Sequence, residues 1–169
     1  RSAEGVAKAK AKCDELGIEG LVVIGGDGSF RGAADLSAQG VLCIGIPGTI
    51  DNDIACTDYT IGFDTAMNTA MELVDKLRDT SQSHDRISVV EVMGRGAGHI
   101  AVNTGIACGA TDIITKEMPY DLDSIAKTML EKKAKGKQNF IVVVAEGIGH
   151  AQEIATSLQE KTHIDARAT

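Results

Sequence analysis

Asp51 and Asp53 lie two residues apart in Pro47-Gly48-Thr49-Ile50-Asp51-Asn52-Asp53, with an amide between them and a hydroxyl just upstream. Carboxylates at that spacing repel one another. A loop that keeps them suits acid–base work, one as general base and the other placing a water or a metal. An Asx-rich surface loop is the plain alternative, since these residue types are common in turns. A second segment, Gly25-Gly26-Asp27-Gly28-Ser29, sets bare backbone at the start of a helix, where peptide N–H groups can receive a phosphate. Asp27 would repel that phosphate unless a divalent cation lay between them, which points to Mg2+. Here the alternative is a tight strand-to-helix turn with Asp27 as its cap.

The elements that must position these loops alternate in type. Ser2 caps a helix with Val6, Ala9, Cys13 and Leu16 on one face, and Gly17 ends it. Residues 21–24 form a continuous apolar run, as expected for a strand covered on both faces. A helix from about Phe30 to Gln39 follows, then a second buried run over 41–46 that stops at Pro47. Asp64 caps a long helix carrying Met67, Met71, Val74 and Leu77. Residues 87–92 read as a strand leading into Met93-Gly94-Arg95-Gly96-Ala97-Gly98 and a helix through Ile100, Thr104 and Ala107. Next come a strand over 112–115, a helix over 121–135 closed by Gly136, and a strand over 140–145 that opens into Glu146-Gly147-Ile148-Gly149. A last helix runs to about Glu160. This alternation predicts an α/β fold of mostly parallel sheets with helices on both faces. Ligands of such sheets collect at the carboxyl ends of the strands, where both loops sit.

Composition removes several classes. The chain has 169 residues with 17 Lys and Arg against 24 Asp and Glu, a net charge of -7. With 43% hydrophobic and 24% charged residues it is a globular sequence, not a disordered one. An acidic chain with two Tyr, three Phe and no Trp lacks the charge and the stacking faces for nucleic acid. No apolar run approaches the roughly 18 residues of a membrane span, and no basic stretch precedes a hydrophobic one, so neither a membrane partner nor a signal peptide is expected. Cys13, Cys43, Cys56 and Cys108 form no CxxC pair and have no histidine at ligand spacing, which predicts reduced thiols.

In their order and spacing, GGDGS, PGTIDND followed by TDYTIGFDTA, RISVVEVMGRGAGHIA and AEGIG resemble the ATP-dependent bacterial 6-phosphofructokinases over nearly the whole chain. The resemblance implies transfer of the γ-phosphate of ATP to the 1-hydroxyl of fructose 6-phosphate, with Mg2+, by a cytoplasmic, glycolytic homotetramer. It implies a Rossmann-like two-lobed architecture, with 1–62 in the nucleotide lobe and 63–169 making most of the sugar-phosphate lobe. The chain would then be a central fragment, incomplete at both ends and inactive alone, because the family's opening glycine-rich loop and a later histidine-containing segment have no counterpart. By the same resemblance Asp51 is the general base, with Thr49 and Asp53 beside it. Asp27 holds the metal, and Gly26, Gly28 and Ser29 line the nucleotide phosphates. Thr49, Ile50, Asp51, Met93, Gly94 and Arg95 meet the sugar phosphate, Arg95 also stabilising the transferring group. Glu146 accepts hydrogen bonds from sugar hydroxyls, while Arg86 and Arg167 grip the 6-phosphate from a neighbouring subunit. Gly28 and Gly48 stand where pyrophosphate-dependent relatives carry Asp and Lys, which favours ATP. Arg78, Gly109, Lys135 and Lys137 match an effector site for ADP or phosphoenolpyruvate, although Thr111 departs from the acidic residue usual there. NAD kinases and diacylglycerol-type lipid kinases share the GGDG turn but not the other motifs at these distances. A non-catalytic sugar-phosphate or nucleotide sensor on the same fold is the remaining alternative; loss of Asp51 or Arg95 would mark it, and both are present.

Overall fold

In the first unit, ending at Gly62, α1 (Ala3–Glu15) starts where the Ser2 hydroxyl accepts the Gly5 N–H at 3.2 Å. It leads to β1 (Gly20–Gly25), α2 (Asp27–Ala38) and β2 (Leu42–Pro47), the two strands pairing in parallel from Gly20↔Leu42 to Gly25↔Pro47. The computed structural model describes residues 2–169. Two sequence expectations change here. The helix begins at Asp27, not near Phe30, because Gly26 takes the cap position and its carbonyl accepts the Phe30 N–H at 3.0 Å. Asp27 is therefore the first helical residue and not the cap. The strands are also covered on one face only: Leu21 and Val23 are half-buried while Val22 and Ile24 are exposed, and Leu42 and Ile44 are bare on β2. A continuous apolar run cannot by itself show how many faces are covered.

The second unit runs from Phe63 to Thr169. Its long helix α3 (Phe63–Gln82) buries Phe63 and Val74, with Asp64 inside the first turn. Then follow β3 (Ile87–Val92), α4 (His99–Ala107), β4 (Asp112–Ile114), α5 (Leu122–Ala134), β5 (Phe140–Ala145), a 3₁₀ turn at Glu146–Ile148, α6 (Ala151–Thr162) and β6 (Ala166–Ala168). The sheet is fully parallel in the order β4-β5-β3-β6. The short edge strand β6 has no signal in the sequence, because three residues are too few for a period.

Alternation on β5 divides the core. Phe140, Val142 and Val144 join Ile87 and Val89 beneath α5 and α6, with Met129, Ile154 and Leu158 fully or nearly buried. Val143 faces α4 on the other side. The sheet is thus covered on both faces, and each large apolar side chain withdrawn from water contributes about 1.5–3 kcal/mol. The helices after β3 and β5 leave in opposite directions: α4 leads to β4 past one side of β5, and α6 leads to β6 past the far side of β3. Such a switch in winding opens a crevice at the carboxyl ends of the two central strands.

Gly105 of α4 sets how closely that helix lies on the sheet, since a Cβ there would stand 2.5 Å from Ile113 Cγ1 and 2.6 Å from its Cδ1. Gly105→Ala is expected to destabilise the second unit by about 1–3 kcal/mol in urea unfolding. A midpoint at or above that of the unsubstituted chain would refute this packing.

Candidate active site

In the first unit the two sequence loops touch. A Cβ on Gly26 would lie 3.3 Å from Thr49 Cβ and 3.4 Å from its Oγ1, so the missing side chain lets Thr49 settle against the start of α2. Thr49 Oγ1 accepts the Asp51 N–H at 3.3 Å, an Asx-like turn that fixes the backbone before the carboxylate. Asn52 adopts φ +52 and ties the rest of the loop: its Oδ1 accepts the Thr60 N–H at 2.9 Å, and its Nδ2 donates to the Asp58 carbonyl at 3.3 Å. The amide between the aspartates is thus structural, holding Asp51 and Asp53 on a closed loop. Sequence reasoning missed that role, although asparagine's tolerance of the left-handed region was the available signal.

The N–H groups of Asp27, Gly28 and Ser29 lie in the first turn of α2, where they have no intrahelical acceptor. Space around Gly28 is open, with nothing within 4 Å of a Cβ built there. Gly48 differs. Its Cβ would meet Ile24 Cγ2 at 2.9 Å, so packing against β1 and not an open pocket accounts for that glycine. Asp27 Oδ1 pairs with Arg31 Nε at 3.0 Å. Among the described residues no group of three His, Cys, Asp or Glu could hold a metal. A single carboxylate in the first turn of a helix fits Mg2+ that would be shared with a nucleotide's own oxygens, and does not fit a resident ion.

In the second unit the turn after β3 sits at the mouth of the crevice. Glu146, first residue beyond β5, accepts the N–H of Gly94 at 3.2 Å and of Arg95 at 2.8 Å through Oε2. Gly94 has φ +147, and a Cβ there would lie 2.6 Å from the Ala97 carbonyl, so only glycine fits. Arg95 is held at φ +57, a costly conformation for a residue with a side chain. Met93 is exposed beside it. Gly147 is explained as well: its Cβ would stand 2.8 Å from the Arg95 carbonyl. At the far end of the turn, Glu117 Oε1 accepts the Gly98 N–H at 2.8 Å, filling the N-terminus of α4 with a protein carboxylate. Nothing in the sequence pattern singled out Glu117.

The two predicted phosphate-gripping arginines share a partner. Asp165 Oδ2 lies 3.3 Å from Arg86 Nε and 3.6 Å from Arg167 Nε, because β6 pairs beside β3. Of the residues matched to an effector site, Arg78 donates through Nη2 to the Cys108 carbonyl, next to Gly109 at φ +60. Burial lowers the Lys137 pKa, and the positive charges of Lys132 and Arg78 lower it further, so these three cations are neighbours. Lys135 caps the end of α5. The Thr111 hydroxyl is buried without a hydrogen-bond partner.

Comparison with known proteins gives a consistent picture. A family model described as Phosphofructokinase matches residues 1–169. An ATP-dependent 6-phosphofructokinase of Clostridium tetani is 56% identical across 100% of this chain, covering 53% of its own length. The chain spans about half the length of the curated relatives it matches. A phosphofructokinase structure from Saccharomyces cerevisiae superposes with TM-score 0.86 at 33% identity, over 100% of this chain and 28% of that one. A Pichia pastoris phosphofructokinase in the T-state gives 0.87 at 34%, over 100% and 21%.

The Gly98 N–H, above all, holds the Glu117 carboxyl below its ordinary 4.5, assisted by its own backbone N–H, Thr115 and His99 and opposed by burial. A carboxyl depressed in the folded state stabilises fully above its unfolded value and loses that contribution as pH falls through the folded one. Glu117→Gln should therefore cost urea stability near neutral pH, and the difference from the unsubstituted chain should vanish as pH falls below 4.5 and through the lowered folded-state value. Equal differences at every pH would contradict the charge-assisted bond.

Proposed function

This chain belongs to the phosphofructokinase family, and from that premise we propose that it carries the base and much of the substrate-recognition machinery of an ATP-dependent 6-phosphofructokinase. The observation that most supports this reading is the contact between Gly26 and Thr49, which puts a phosphate-receiving helix start beside the loop that presents Asp51. In the reading, Asp51 removes the proton from the 1-hydroxyl of fructose 6-phosphate as that oxygen attacks the γ-phosphorus of ATP. Thr49 and Asn52 hold the loop in place during the transfer. The first N–H groups of α2 receive nucleotide phosphate oxygens, at no reorganisation cost because the helix already orients them. Asp27 would hold Mg2+, which when bound neutralises phosphate charge; it must exchange Arg31 for the ion. Arg95 offers a planar fork to the transferring group, and its strained backbone is held ready by Glu146.

The reading extends to recognition and regulation. Arg86 and Arg167 bind the 6-phosphate, and their shared Asp165 keeps the two guanidiniums from repelling each other until phosphate arrives. Arg78, Gly109, Lys135 and Lys137 receive an anionic effector such as ADP or phosphoenolpyruvate in a homotetramer. No helix of the described residues is long and apolar enough to cross a membrane.

In the whole protein, Asp51→Ser should lower kcat by about 10²–10⁴-fold, the range of a general base, with far less effect on fructose 6-phosphate binding. A near-normal kcat in a steady-state assay refutes the assignment. The open space at Gly28 also predicts ATP as donor, with no turnover when pyrophosphate replaces it. Efficient phosphorylation from pyrophosphate would overturn that donor choice.

A further inference from the structure

The turn from Met93 to Gly98 is anchored at both ends by carboxylates that come from different strands. Glu146 follows β5 directly and takes the N–H groups of Gly94 and Arg95. Glu117, three residues beyond β4, takes the N–H of Gly98. Between the anchors the Ala97 N–H donates to the Gly94 carbonyl at 2.9 Å, and Arg95 stands at the apex in the left-handed region. Gly98 admits no alternative packing: a Cβ there would meet Thr115 Cγ2 at 2.7 Å and Glu117 Oε2 at 2.8 Å. The glycine-rich turn before a helix has the form of a phosphate cradle, yet a side chain of the same chain already occupies the helix N-terminus. The cap N–H of α4 is thereby taken by Glu117, and Arg95 is the charged group that the turn presents for recognition.

We propose that Glu117 is a positioning residue for sugar-phosphate recognition, holding the Gly98 end of the turn so that Arg95 keeps its left-handed backbone and its aim. The inference rests on the proposed 6-phosphofructokinase reading. Glu117 touches no substrate in this scheme; it acts through Gly98 and Arg95. An acceptor oxygen at the right reach is the essential feature, so the amide of glutamine can replace the carboxylate, whereas alanine, or aspartate one methylene shorter, cannot.

Steady-state kinetics of the whole protein test this with Glu117→Ala, Glu117→Asp and Glu117→Gln. Loss of one charge-assisted anchor should raise KM for fructose 6-phosphate about tenfold in the Ala and Asp variants, leaving KM for MgATP within about twofold. Glu117→Gln should restore most of the sugar-phosphate affinity. In an Arg95→Ala background, removing Glu117 should add little, since both act through one side chain. Equal rises in both KM values, a Gln variant as impaired as Ala, or additive penalties with Arg95→Ala would overturn the proposal. Should Glu117→Ala not fold, the Asp and Gln variants carry the same comparison. If the unsubstituted protein does not phosphorylate fructose 6-phosphate, the functional reading itself fails. Hydrogen exchange at the Gly98 amide then decides separately: faster exchange in Asp but not Gln keeps Glu117 as the anchor, and unchanged exchange removes it.

Discussion

Parallel register is the constraint on which each candidate site depends. In the second unit β3 and β5 pair without slip from Ile87↔Phe140 to Val92↔Ala145, so both strands end at one level. Met93 and Glu146 therefore leave the sheet side by side, and a carboxylate on one strand exit reaches the N–H groups of the other within 2.8–3.2 Å. A shift by one residue would turn Phe140, Val142 and Val144 out of the core formed with Met129 and Leu158, which the burial energy forbids. The first unit follows the same rule. Gly25 pairs with Pro47, so the helix start at Asp27 and the loop at Thr49 emerge together.

Register brings the loops together, and small local costs then give them shape. Gly94 and Gly147 make room for neighbouring carbonyls, while Arg95 and Asn52 carry positive φ on residues with side chains. Such conformations are not confined to the sites, for Asp85 and His163 share them at ordinary turns before β3 and after α6. What separates Arg95 and Asn52 is the number of hydrogen bonds over-determining them. Two carboxylates pin the turn around Arg95, and the Asn52 side chain bridges to residues 58 and 60.

Most of the fold was legible because its signals are local. The cap at Ser2, glycines after helices, and apolar runs of strand length located the elements to within a few residues, although Asp64, expected as a cap, lies inside the first turn of α3. Where the reading failed, the deciding interaction either carries no side-chain signature or is not local. The start of α2 at Asp27 follows from a backbone cap at Gly26 that any turn sequence could supply. The bare face of β1 and β2 is invisible in the composition of residues 21–24, and β6 is too short to announce itself. Among the site residues, motif spacing singled out Asp51 and Asp27, and the family resemblance added Arg95 and Glu146. Spacing could not single out Glu117 or Asp165, whose importance lies in partners 19 and 79 positions away. Nor could it show that Gly48 is a glycine because of Ile24.

A common electrostatic logic joins these sites in a chain of net charge -7. Several groups suited to receive a phosphate are already engaged by a carboxylate of the same chain. Glu146 holds the Gly94 and Arg95 amides, Glu117 holds the Gly98 amide, and Asp165 lies between Arg86 and Arg167. This arrangement avoids clustered bare cations and unpaired donors, either of which would destabilise the folded state. At Arg86 and Arg167 it would make anion binding an exchange of Asp165 for the ligand, so affinity would depend on the difference between two interactions. A singly charged, freely diffusing carboxylate gains nothing over the tethered one already in place. A phosphate brings a second charge and three acceptor oxygens, enough to meet both arginines that Asp165 now shares. In the proposed reading, selectivity for phosphorylated ligands would thus arise from Asp165 as much as from the two arginines.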